Sequence, residues 1–197
     1  MNSIISAIFG LSFLSCVIDK EVETGLIVED SAEEEENPIW WDEEDCSYNE
    51  GDHICNLRLP TALDTADEVY NYFGRIFLLE ITSMRCSDCQ RSSGQNSYMQ
   101  ARVGDIKWIT IIIENEAGIT PSSSDGRRWG NAFGLQYFNI WLGSRSNIDI
   151  NQGKRGFAVS EYPSYVLVDD ELRIRVVIEG YDKDKIIDSV IDLKSDL

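Results

Sequence analysis

Ile76-Phe77-Leu78-Leu79-Glu80-Ile81-Thr82-Ser83-Met84-Arg85-Cys86-Ser87-Asp88-Cys89 is the stretch whose reading decides the fold. It opens as a β-favouring apolar run interrupted by a single acid, Glu80. It closes on two cysteines spaced C-x-x-C, and the polar residues that follow can continue as a helix. The pattern predicts a strand that delivers a cysteine pair to the first turn of a helix. Unpaired N–H groups and the positive end of the helix dipole at that point stabilise a thiolate. A lone C-x-x-C is a weak signal, and a strand–helix–strand setting turns it into a redox motif.

Working outward, the helix is expected over 87–102, with Gly94 weakening or bending it and Gly104-Asp105 making the turn beyond. Residues 108–113 form a continuous apolar run, as in a central strand buried on both faces. Residues 121–134 begin with helix-start signals, Pro121 followed by Ser122-Ser123-Ser124-Asp125. Residues 137–142 read as the next strand and 143–156 as a polar loop. Strands at 165–168 and 172–178 join at Asp169-Asp170-Glu171 as a hairpin. The last helix, 182–193, offers Ile186, Ile187, Val190, Ile191 and Leu193 as its apolar face. Upstream of the motif, 54–60 alternates apolar and polar residues and reads as a half-buried strand. Residues 65–72 form a short helix or strand closed by Gly74. This order predicts an α/β domain with a mixed central β-sheet flanked by helices on both faces.

The chain has 197 residues and a net charge of −18, which disfavours nucleic acid as a partner. The charge is concentrated. From Asp19 to Glu50 fourteen Asp or Glu face one Lys, giving −13 of the −18. Residues 16–45 cannot bury enough apolar surface to offset their ordering entropy, so they are expected as an extended, solvated tether. Residues 1–15 resemble a secretory signal: a mostly apolar run, too short to span a bilayer, with small residues before Cys16. No Lys or Arg precedes that run. Phe13-Leu14-Ser15-Cys16 resembles a bacterial lipoprotein cleavage box, which implies lipid on Cys16 and a membrane anchor. An ordinary cleaved signal with an incidental cysteine is the alternative.

One lone cysteine and two pairs suit an oxidising compartment. Cys46 and Cys55 bracket a Gly51-Asp52 turn, where a local disulfide could staple the start of the domain, 46–197. A zinc site made with Cys86 and Cys89 is disfavoured because the gap is long for a zinc knuckle. His53, the single histidine, reads as an exposed turn residue. No metal or cofactor is called for.

Glu80 six residues before Cys86, the C-x-x-C at a strand–helix junction, Gly94, and Tyr162-Pro163 before the final hairpin together resemble the thioredoxin superfamily. The resemblance covers roughly residues 51–197 and is nearest to the bacterial secreted, membrane-anchored branch of TlpA and ResA type. It implies a cis Pro163 facing the cysteines, a buried acid at Glu80, and a substrate groove that includes Arg85 and Tyr162. It also implies protein disulfide or dithiol substrates, an upstream redox partner, and a periplasmic or cell-surface location. Four positions depart from the family pattern. Arg85 replaces the usual Trp, Ser87-Asp88 the usual Gly-Pro, and Gly94 the helix-kinking proline.

The chemistry follows from exposure. Cys86, at the helix end, is the expected nucleophile, and Cys89 resolves the mixed disulfide. Arg85 and the helix N–H groups lower the Cys86 pKa while Asp88 raises it. A desolvated Glu80 is suited to take or return the Cys89 proton. The alternatives are an inert disulfide beside a satisfied buried acid, and a thioredoxin-fold binding or metallochaperone-like module.

Overall fold

The computed structural model of the chain describes residues 45–148 and 156–196. Seven strands and three α-helices occur among them. In order they are β1 (Arg58–Pro60), β2 (Ala66–Glu68), β3 (Phe77–Ser83), α1 (Ser87–Val103), β4 (Lys107–Glu114), α2 (Ser123–Phe133), β5 (Ile140–Leu142), β6 (Ser164–Val168), β7 (Ile174–Glu179) and α3 (Lys183–Asp196). The signal segment, Cys16 and nearly all of the acidic tether lie outside the described residues.

Five strands form one mixed sheet in the order β5-β4-β3-β6-β7. β3 is its centre, and all seven of its residues are buried. β4 runs parallel to β3, from Phe77↔Lys107 to Thr82↔Ile112. Parallel neighbours need a crossover, which α1 supplies. β6 runs antiparallel, from Phe77↔Val168 to Ile81↔Ser164, and a tight hairpin carries it into β7. β1 and β2 pair separately.

Alternation along the central strands sorts the side chains into two cores. Phe77, Leu79 and Ile81 join Ile109, Ile111, Ile113, Val166 and Val168 on one face. That face is covered by Leu59 of β1, by Val69 and Tyr72 of a short 3-10 helix, and by Tyr48, Ile54 and Phe157. On the other face Leu78, Trp108, Tyr165 and Leu167 pack under Met99 and Val103 of α1 and under Ile186, Ile187, Val190 and Leu193 of α3. Trp129 of α2 meets Ile112, Ile140 and Leu142 on this same side. Close approach of α2 depends on glycine: a Cβ at Gly126 would lie 2.9 Å from both Ala62 Cβ and Leu142 Cδ2.

Several details differ from the sequence reading for physical reasons. The strand expected at 54–60 shrinks to Arg58–Pro60, because Ile54 instead gives its N–H to Leu172 and joins the hairpin end. Residues Tyr137–Asn139 form a 3-10 turn, leaving only Ile140–Leu142 as strand. Ile191 is 45% exposed and lies off the buried stripe of α3. His53 is half-buried, bridged to Arg173 in the backbone ladder.

Cys46 and Cys55 are joined by a disulfide. The segment they close is stitched to the β6–β7 hairpin through Gly51 N–H to Ile174 O at 2.8 Å and Ile174 N–H to Asp52 O at 2.9 Å. It lies at the end of the sheet away from Cys86. Replacing both cysteines by serine is expected to lower unfolding stability by about 2–3 kcal/mol, the loop-closure value for so short a loop. Thiol–disulfide exchange should survive. Urea unfolding alongside an insulin-reduction assay checks both, and lost exchange at unchanged stability contradicts the assignment.

Candidate active site

The site is built where β3 ends. Its ladder with β4 closes at Met84, whose N–H donates to Glu114 O at 3.0 Å. The chain then turns into α1 with Cys86 as its N-cap residue. Cys86 Sγ accepts the backbone N–H of Cys89 at 3.0 Å, the place that a Ser or Asp oxygen usually fills. Cys86 is therefore set by local geometry to hold negative charge at a helix N-terminus. Cys86 and Cys89 form a disulfide. Cys86 is half-buried, whereas Cys89 is fully buried against Met84, Ile112 and Trp129.

The Tyr162-Pro163 bond is cis, and the Tyr162 carbonyl oxygen lies 3.3 Å from Cys86 Sγ. Tyr162 is half-buried and Pro163 buried. Ser164 follows directly and starts β6, so the sheet itself carries this backbone to the cysteines. Arg85 is exposed beside Cys86, and Asp88 is ion-paired at the surface with Arg91 at 2.6 Å.

Glu80 occupies the α1 face of β3 and has no exposed surface. Its Oε1 accepts from Ser92 Oγ at 2.8 Å. Its Oε2 accepts from Trp108 Nε1 and Thr110 Oγ1, both at 3.2 Å. Ser92 is also hydrogen-bonded to the Tyr165 hydroxyl. Burial pushes the Glu80 carboxyl above its ordinary pKa, against the three donors. Burial and the Glu80 charge push the Tyr165 hydroxyl far up as well. Because Oε2 is held by two donors, the proton of the neutral acid belongs on Oε1. There the Ser92 hydroxyl turns from donor to acceptor. Protonating Glu80 thus reverses the Ser92–Tyr165 pair.

The structure brings Cys86, Cys89, Tyr162 and Pro163 together, with Arg85 at their edge. Glu80 meets α1 through Ser92, one turn beyond Cys89, and makes no hydrogen bond to the cysteine itself. Cys46 and Cys55 are remote. Ser92, Trp108, Thr110 and Tyr165 were not singled out from sequence. Ser92 alone had a usable signal, its i+3 spacing from Cys89 on a helix. Glu114, which accepts from Ser83 Oγ at 2.7 Å and pairs with Arg145 at 2.5 Å, was also missed. No group of three or more His, Cys, Asp or Glu able to hold a metal occurs among the described residues. No helix among them is long and apolar enough to cross a membrane.

No family model matches the sequence, and no curated protein matches it. Solved structures do match. A putative thiol:disulfide interchange protein DsbE from Chlorobium tepidum aligns over 74% of this chain and 98% of its own, at 15% identity and a TM-score of 0.56. The chain has the thioredoxin fold. The pneumococcal exposed lipoprotein thioredoxin from Streptococcus pneumoniae aligns over 70% of this chain and 99% of its own, at 22% identity and a TM-score of 0.52. A DsbF homologue from Corynebacterium diphtheriae covers 75% and 90%, at 19% identity and a TM-score of 0.55.

The burial of Glu80 has a measurable consequence. Its folded-state pKa lies above the unfolded one, so the stability it contributes is complete below the ordinary glutamate value. That contribution is lost as pH rises through the folded-state pKa. Glu80→Gln removes the titration while keeping the shape. Across that window, wild-type stability should fall relative to Glu80→Gln by about 1.4 kcal/mol per pH unit. Oppositely shifted groups such as Asp125, held down at about 2 by hydrogen bonds from Ser122, Asn115 and Arg128 against its desolvation, cancel in the comparison. Urea midpoints of both proteins from about pH 4 to 8 check this, and a constant difference contradicts it.

Proposed function

We propose that the chain is a thiol–disulfide oxidoreductase that works outside the cytoplasm on protein disulfides. The observation that carries this reading is the half-buried Cys86 sulfur. It is capped by the Cys89 N–H at the start of α1, disulfide-bonded to a buried Cys89, and faced by the Tyr162-Pro163 backbone. In the reduced form the Cys86 thiolate attacks a substrate disulfide. A bond forms between Cys86 and one substrate sulfur, and the other sulfur leaves as a thiolate that takes up a proton. Cys89 then gives its proton towards Glu80 by way of the Ser92 hydroxyl. Its thiolate attacks Cys86 Sγ, the mixed-disulfide bond breaks, and the second substrate sulfur leaves as a thiolate that takes up a proton. The chain is left as the Cys86–Cys89 disulfide, and an upstream dithiol protein returns it to the dithiol. Tyr162 and Pro163 present an extended backbone edge that orients the substrate segment.

The roles are tested by trapping. Cys89→Ser should accumulate a mixed disulfide with a disulfide substrate, and Cys86→Ser should accumulate none. The reverse pattern exchanges the two roles. The Tyr162 carbonyl pointed at Cys86 Sγ favours a second reading, because a carbonyl oxygen disfavours a neighbouring thiolate. On that reading the fold binds a partner without turnover. Absence of trapping in both variants, with no insulin reduction by the reduced chain, selects it.

The location rests on the short apolar run before Cys16 and the acidic stretch after it, and a similar fold in an exposed lipoprotein supports it. Residues 1–15 are the signal, Cys16 carries the lipid, 16–45 form the tether and 46–197 the domain. Mass spectrometry of the native N-terminus should find a lipidated Cys16. An intact Met1, or cleavage beyond Cys16, contradicts the anchor.

A further inference from the structure

The chain carries a net charge of −18, yet one side of the rim of its cysteine pair, around Arg85 and Arg145, is cationic. Arg85, directly before Cys86, is exposed and has no ion-pair partner among the described residues. Three anions around this end of the sheet are already matched. Asp88 pairs with Arg91 at 2.6 Å, Glu116 with Arg128 at 2.5 Å and Asp64 with Arg127 at 3.0 Å. Glu161, next to Tyr162, is exposed and has no ion-pair partner among the described residues, and its carboxylate lies by Gly180, where a Cβ would be 3.6 Å from it.

The buried anion of the rim is Glu114, at the end of β4 and 6% exposed. Arg145 Nη2 and Nε both donate to its Oε2, at 2.5 and 3.0 Å. Arg85 also acts on it electrostatically. One carboxylate thus faces two guanidinium groups and leaves an excess of positive charge. The Arg145 side chain is 70% exposed, and its charge is felt at Tyr162, whose carbonyl faces Cys86. The turn after β4 completes the surface. Gly118 has φ +77°, and a Cβ there would lie 2.6 Å from Arg85 Nη1, so glycine lets the guanidinium lie against the turn. The next residue, Ile119, is 63% exposed.

We propose that Arg85, Arg145 and Ile119 form a docking surface for disulfide-bonded protein segments with an acidic residue beside the reacting cysteine and an apolar residue nearby. The inference rests on the exchange reading above and adds the substrate class. Glu114 is a positioning residue that fixes the Arg145 guanidinium at the rim. Exposed ion pairs are individually weak and are screened by salt, so the selectivity is modest and ionic-strength dependent.

The test uses three disulfide-linked peptides that differ only in Glu, Gln or Lys beside the reacting cysteine. The reduced chain should react in the order Glu, Gln, Lys, with about tenfold between the extremes. The spread should collapse in about 0.5 M salt. Arg145→Gln should narrow it and Arg85→Glu should invert it. Ratios are taken within each variant, so any change in the Cys86 thiol cancels. Equal rates for the three peptides, or an unchanged order in Arg85→Glu, overturn the docking surface and leave the exchange reading standing. Failure to reduce any of the peptides, or a small neutral disulfide, overturns both.

Discussion

A carboxyl group in the middle of the central strand is the constraint on which the rest of this domain depends. Glu80 sits in β3 between Leu79 and Ile81, with no water contact, under the first turns of α1. An unpartnered acid at such a position would cost several kcal/mol. The neighbouring elements therefore send polar groups to it. Trp108 and Thr110 come from β4 and Ser92 from α1, and Tyr165 of β6 reaches it through Ser92. The same residues are packing residues: Trp108 and Tyr165 meet edge to face at 6.2 Å in the core beneath α1 and α3. Polar satisfaction and apolar packing thus specify the same register of three strands and one helix.

That register decides where the sulfurs lie. β3 and β4 are parallel, so their C-terminal ends coincide, and the crossover helix begins there with first-turn N–H groups that have no carbonyl partner in the helix. Cys86 occupies the cap position, and Cys89 falls one turn on, pointing inward. β6 runs antiparallel to β3, so its first residue, Ser164, arrives at this same end with Pro163 and Tyr162 immediately before it. Two chain segments more than seventy residues apart meet because one sheet orders them. A cavity of about 600 Å³, lined by Arg75, Lys107, Trp108 and Phe138, lies at the opposite end of β3 and β4.

The fold was legible because its decisive signals are local. A β-favouring run from Ile76 to Ile81, apolar but for Glu80, reads as a buried strand, and a C-x-x-C soon after it marks the helix start. The hairpin at Asp169–Asp170–Glu171 announced itself by composition. The misses have a common source in packing. Gly94 reads as weakening or bending the helix, and α1 is continuous through it, held along its length by its buried face of Cys89, Ser92, Asn96, Met99 and Val103. Ile54 reads as strand, but the hairpin end offered its N–H a partner first. Ser92 apart, the groups around Glu80 and the Glu114–Arg145 pair were invisible for a different reason. Each contact joins residues twenty-eight or more positions apart, and no periodicity in one sequence encodes such a meeting.

The claim that ties these features together is that the Glu80 carboxyl senses the state of the cysteines through Ser92. The most direct measurement is the infrared difference spectrum between the disulfide and dithiol forms. Reduction should shift or remove a protonated-carboxyl stretching band, and Glu80→Gln should abolish that change while Asp88→Asn keeps it. A difference spectrum with no carboxyl band, or one that persists in Glu80→Gln, would contradict the coupling.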